Sequence, residues 1–175
     1  MDFTEVLHFR RSIRKYLETP IKDDVIKRIL QAARLSPTWA HKQGQRVIVV
    51  RDPAVRNQLS DAIGQKWTET APAFLVVCIE PEQSGIAPNK LEYYSVDAAI
   101  VMQSMILAAT NEGLGTCWIG WFDEKEVKRV LSIPNSYCVI GITPLGYPAS
   151  QPPPKDRKKL EDICFVDTFG KKFTG

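Results

Sequence analysis

No run of eighteen apolar residues occurs anywhere in this chain of 175 residues, so no segment is read as crossing a bilayer. An apolar signal region is missing too, because Glu5, Arg10 and Arg11 interrupt the first stretch; the cytoplasm is the expected location. Histidine is scarce, two in all, and the four cysteines at 78, 117, 138 and 164 form no C-x-x-C pair. They read as reduced core thiols, with neither a disulfide framework nor a metal site expected. The G-x-G-x-x-G fingerprint of dinucleotide folds is absent: Gly113, Gly115 and Gly120 follow a helix instead of opening one. A net charge of only +3 demands no polyanionic partner, and no RRM, OB or helix-turn-helix signature accompanies it, so nucleic acid is not expected to bind.

What is present is ordinary globular material, 44% hydrophobic and 25% charged, enough for one domain over 1–175 with 150–175 as an extended tail. Asp2-Phe3-Thr4-Glu5 has the capping-box form and opens a short helix that ends at an arginine cluster. A second helix is predicted over Asp23–Leu35, stopped ahead of Pro37. Arg46–Val50 reads as a strand, and Asp52-Pro53 caps the next helix. Ala73–Ile79 is an apolar strand, followed by a polar loop from Glu80 to Lys90 that is expected to be the most mobile part. From Ser95 to Glu112 nearly every face is apolar, which predicts a buried helix with a second copy of the chain covering part of it. Thr116–Ile119 and Tyr137–Thr143 read as further strands around a helix capped at Asp123. Pro152-Pro153-Pro154 predicts a surface strap carrying Lys155, Arg157, Lys158 and Lys159. Helices and strands mixed around a central helix give an α+β class.

The chemistry concentrates in few places. Arg10, Arg11, Ser12 and Arg14 put three guanidinium forks and a hydroxyl within five residues, a set suited to a phosphomonoester. The bland alternative is a solvated basic turn that complements a helix C-terminus. Lys155 and Arg157 repeat the donor chemistry, and acquire weight only if the tail folds back beside Arg14. Gly120 either lets the backbone approach a flat ring or merely ends a strand. Trp39, Tyr93, Tyr94, Trp121 and Phe122 are candidate walls for a flat ligand, with ordinary core packing as the competing account.

Four segments, in order, resemble the nitroreductase family of FMN-dependent oxidoreductases along essentially the whole chain, which looks like a short member. They are Arg10 to Arg14, Ser36-Pro37-Thr38-Trp39-Ala40-His41-Lys42-Gln43, Gly113 to Gly120, and Gly146-Tyr147-Pro148 followed by Lys155-x-Arg157. The resemblance implies an α+β homodimer, with a mixed sheet flanked by helices around a buried central helix, and FMN at the interface. It implies that Arg10, Arg11, Ser12 and Arg14 hold the phosphate and ribityl chain with Lys155 and Arg157. Pro37, Thr38, Trp39 and His41 would come from the other subunit, and Ile119 and Gly120 would offer backbone groups near flavin N5. One departure is His41, where the family usually has asparagine; another is Gln43-Gly44, where it usually has Gln-Pro.

By the same resemblance no catalytic side chain is needed. NADH or NADPH would reduce the flavin and leave, and a nitroaromatic, quinone or similar acceptor would take its place. The rival readings are a specialised flavin enzyme of the same fold, performing dehalogenation or flavin fragmentation, and a non-catalytic FMN-binding module.

Overall fold

A computed structural model describes residues 1–173. Four strands, β1 (Gln45–Val50), β2 (Ala73–Ile79), β3 (Gly115–Thr116) and β4 (Cys138–Gly146), form one sheet in the order β1-β2-β4-β3. All three pairings are antiparallel. Among the described residues the one parallel pairing is an isolated bridge between Ser12 and Thr116, where the Ile13 N–H donates to the Thr116 carbonyl at 2.8 Å.

β2 is the spine because it is buried at every position. Its side chains alternate between the two faces, as strand geometry requires. Ala73, Leu75, Val77 and Ile79 join the cluster formed with α2 (Asp23–Leu35) and α4 (Tyr93–Asn111). Phe74, Val76 and Cys78 join the opposite cluster, with α3 (Pro53–Ile63) and α5 (Glu124–Leu131). Two helical layers therefore sandwich the sheet, and Leu75→Ala would cost about 2–5 kcal/mol through a lost side chain and the void left behind.

The expected N-terminal signals act as caps. Asp2 and Glu5 form a reciprocal capping box on α1 (Phe3–Phe9), and Asp52 and Asp123 each accept two backbone N–H groups at the starts of α3 and α5. The central helix begins two residues earlier than its apolar run predicts, at Tyr93. Its burial is incomplete within one chain. Val101, Met102 and Met105 are buried, while Val96, Ile100 and Leu107 are only half covered.

The expected strand at Thr116–Ile119 is shorter than its composition suggests. The ladder stops at Thr116, and Ile119 returns as a single bridge to Ile142. A short helix not predicted from the tail's sequence, α6 (Leu160–Ile163), follows the proline strap. No helix among the described residues is long and apolar enough to cross a membrane.

Candidate functional site

The arginine segment is held by backbone bonds on both sides. Besides the Ile13–Thr116 bond, the Leu17 N–H donates to the Tyr147 carbonyl and the Ala149 N–H to the Lys15 carbonyl, both at 2.9 Å. Gly115 makes the close approach possible: a Cβ there would stand 2.6 Å from Cγ1 of Ile13. Tyr16 adds a buried hydroxyl that donates to the Ile13 carbonyl at 2.6 Å, and burial pushes its phenol far above the ordinary tyrosine range.

The tail folds back. Gln151 Nε2 donates to the Phe9 carbonyl at 3.0 Å, and the prolines run past the end of α1. Between strap and segment lies a cleft of about 450 Å³ lined by Arg10, Arg11, Ser12, Arg14, Lys155 and Arg157, together with Leu7, His8 and the three prolines. Cations and a hydroxyl thus converge from the two ends of the chain, and among the described residues no carboxylate lines the space. Opposite charge without a competing acid is what a phosphate dianion requires.

The arginines are not equivalent. Arg11 donates to the carbonyls of His8 and Arg10, the latter at 2.8 Å, and so caps the end of α1. This is the bland role considered for the cluster, carried by one of its members. Its Nε is buried with no partner among the described residues, and both capping bonds use Nη1, so Nε and Nη2 remain as donors. Arg14 lies exposed, its guanidinium 5.8 Å from the Trp67 ring, which leaves its fork free. Near Ser12 and Arg14 is the Cys117 thiol; burial pushes it up, against the opposing pulls of Arg14 and Ser12.

A second feature is the turn after α2. Thr38 closes it from both ends: its carbonyl accepts from the His41 N–H at 3.0 Å and its Oγ1 from the Gln43 N–H at 3.1 Å. Within it Ala40, His41 and Gln43 have φ of 46°, 57° and 54°. Left-handed backbone at residues with a Cβ costs about 1–2 kcal/mol each, and strain of this kind concentrates where a ligand or partner needs a fixed shape. Trp39 packs on Tyr93 with ring centroids 4.5 Å apart. Pro37 and His41 are exposed, and Thr38 and Trp39 are half-buried.

The turn is pinned from below by Asp97, which composition alone did not single out. Asp97 is 2% exposed and accepts from the Trp39 N–H at 2.9 Å and from Ser84 Oγ at 2.7 Å. The signal that could have found it is a lone acid in an otherwise apolar helix. The Glu80 to Lys90 loop, expected to be mobile, is tied down at its centre by these contacts. Lys42 Nζ donates to the Ser84 carbonyl at 2.7 Å, and Gly85 lies so close to Trp39 that a Cβ would meet Cε2 at 2.0 Å.

At the third feature Ile119 is bonded across the sheet. Its N–H donates to Ile142 at 2.8 Å and its carbonyl accepts from Ile142 at 3.0 Å, while its side chain is buried. The Ile119 N–H is thus spent on Ile142, while its carbonyl keeps a second lone pair. Gly120 is exposed, its N–H makes no backbone hydrogen bond among the described residues, and a Cβ there would meet only Trp118, at 3.9 Å. Beside it Trp121 is 86% exposed.

Comparison with known proteins gives a consistent set of relatives. The model of the nitroreductase family matches residues 7–95 and 87–147. A crystal structure of a nitroreductase family protein from Clostridium novyi NT is 34% identical, with a TM-score of 0.81 over 99% of this chain and 97% of that one. The structure of NADPH:FMN oxidoreductase from Vibrio harveyi complexed with NAD+ is 27% identical, with a TM-score of 0.86 over 98% of this chain and 79% of that one. Iodotyrosine deiodinase of Nematostella vectensis is 29% identical over 199 residues, spanning 94% of this chain and 73% of the relative.

Proposed function

This chain belongs to the nitroreductase family, and from that premise we propose that it is an FMN-dependent NAD(P)H oxidoreductase that passes electrons to nitroaromatics, quinones or similar acceptors. Relatives named for NADPH:FMN and NAD(P)H oxidoreduction support a flavin-dependent, NAD(P)H-using enzyme. The observation that carries the choice of FMN is the acid-free cleft lined by Arg10, Ser12, Arg14, Lys155 and Arg157. Its donors suit a phosphomonoester.

Arg10, Ser12, Arg14, Lys155 and Arg157 bind the phosphate end of the cofactor, and Arg11 contributes the donors that Nη1 leaves free while it caps α1. The unpaired Gly120 N–H serves as the backbone donor near the ring edge. Pro37, Thr38, Trp39 and His41 reach the ring from a second copy of the chain. The half-covered face of α4 and the exposed Phe3, Leu7, Leu35, Leu160 and Ile163 favour such a homodimer. When bound, the flavin supplies the two-electron redox chemistry, so the chain's own task is position, charge and access. Positive charge near the ring would also favour the anionic reduced cofactor.

Anaerobic titration tests the reading. The purified protein should bind FMN, bleach on addition of NADH or NADPH, and recover its colour with a quinone or nitroaromatic. Bound flavin that neither nucleotide bleaches would favour the non-catalytic binder. The deiodinase relative favours one other reading, reductive dehalogenation at the same site. Reoxidation by a halophenol with release of halide, and not by quinones, would establish it instead.

A further inference from the structure

Among the described residues Asp97 is the one carboxylate held in the core, at 2% exposure, and its neighbours in α4 include Ala98 and Val101, both fully buried. A buried acid is tolerated only where hydrogen bonds replace its hydration. Here one oxygen accepts from the Trp39 N–H at 2.9 Å and the other from Ser84 Oγ at 2.7 Å. The two donors come from different loops, one ahead of β1 and one after β2.

Those loops also meet each other. Lys42 donates to the Ser84 carbonyl, and the Trp39 indole fills the space that a side chain at position 85 would need. Directly after Trp39 come the left-handed residues Ala40, His41 and Gln43. A strained turn persists only when its surroundings over-determine it. Thr38 supplies closure within the turn, Trp39 packs on Tyr93 at the start of the central helix, and Asp97 adds the hydrogen bond that fixes the turn's backbone to that helix.

We infer that Asp97 is a positioning residue for flavin binding: it holds the Trp39 to Gln43 turn in its binding shape and couples it to the Ser84-Gly85 loop, so that the two move as one unit. This inference rests on the flavin reading above. It assigns the ring end of the cofactor to a buried carboxylate that touches no ligand, separate from the cationic cleft that takes the phosphate end.

The separation gives the test. FMN and riboflavin share the ring and differ by the phosphate, so the ratio of their affinities reads the cleft and their common affinity reads the turn. In Asp97→Asn the full-length protein should lose roughly tenfold in affinity for both ligands, with an unchanged ratio and a melting temperature of the flavin-free protein close to that of the wild type. Ser84→Ala, which removes one of the two bonds and keeps the charge, should show the same pattern at smaller amplitude, and it carries the test if the Asp97 variant does not fold. Wild-type affinity for both ligands in the variant that folds would overturn the inference. So would a collapse of the FMN-to-riboflavin ratio, which would mean general damage reaching the cleft. A wild-type protein that binds neither ligand would overturn the flavin reading itself.

Discussion

The cationic cleft and the strained turn solve the problem of holding one ligand in opposite ways. The cleft is assembled from long, largely exposed side chains on two segments about 140 residues apart, and it is open to water. The turn is short, bonded at both ends, and fixed to a buried carboxylate. Charge works at a distance and tolerates imprecision, whereas a flat ring is read by contact and needs a fixed backbone. The cleft should therefore govern the preference for a phosphate-bearing ligand, and the turn should govern how the ring itself is held.

The largest effect is expected from removing charge. The double variant Arg14→Ala/Lys155→Ala should weaken FMN binding by about a hundredfold or more, since each charge-assisted contact is worth about 1.5–3 kcal/mol, while riboflavin binding stays nearly unchanged. Fluorescence titration with both ligands measures this, and an equal loss of riboflavin would break the division of labour. Next comes Gly85→Ala. The added Cβ has no room against Trp39, and such overpacking costs about 1–3 kcal/mol. Thermal unfolding should register that cost, with both ligands weakened alike.

Ala40→Gly sharpens the comparison from the other side. At φ 46° glycine carries no steric penalty, so the variant should gain up to about 1 kcal/mol, less the entropy of a freer unfolded chain. Denaturant unfolding checks this; a loss of stability would show that the backbone there is not strained.

The smallest effect concerns pH and lies away from both regions. Burial pushes the Glu124 carboxyl up, but the Val139 N–H and the Lys128 ammonium more than offset this and hold it below the ordinary value. A lowered folded-state pKa contributes stability that is present above the unfolded pKa and lost as pH falls through the folded one. Glu124→Gln should therefore flatten the acid limb of the stability curve below about pH 4.5 and leave flavin affinity untouched.

Much of the architecture was legible because its signals are local. The acids at positions 2, 52 and 123 cap helices by bonding backbone groups two or three residues away, and the seven apolar residues of β2 alternate faces by geometry alone. The convergence of Arg14 with Lys155 was readable only as a condition, since nothing in either segment encodes the fold-back that Ala149 and Gln151 secure. Three features lay beyond reach. Left-handed backbone at Ala40 carries no glycine to announce it; the Ile119 N–H is spent on Ile142, more than twenty positions away; and Arg11 is distinguished from Arg14 by which carbonyls happen to lie nearby.

The proline strap has one more consequence. Pro152 to Lys159 is exposed along its whole length and carries four basic residues after three prolines, so a protease that cuts after lysine and arginine finds its targets on the very segment that closes the cleft. An anion seated there would draw Lys155 and Arg157 inward and slow the cutting. The rate at which the tail is clipped thus becomes a clock for occupancy, readable on a gel without reference to the colour of the protein.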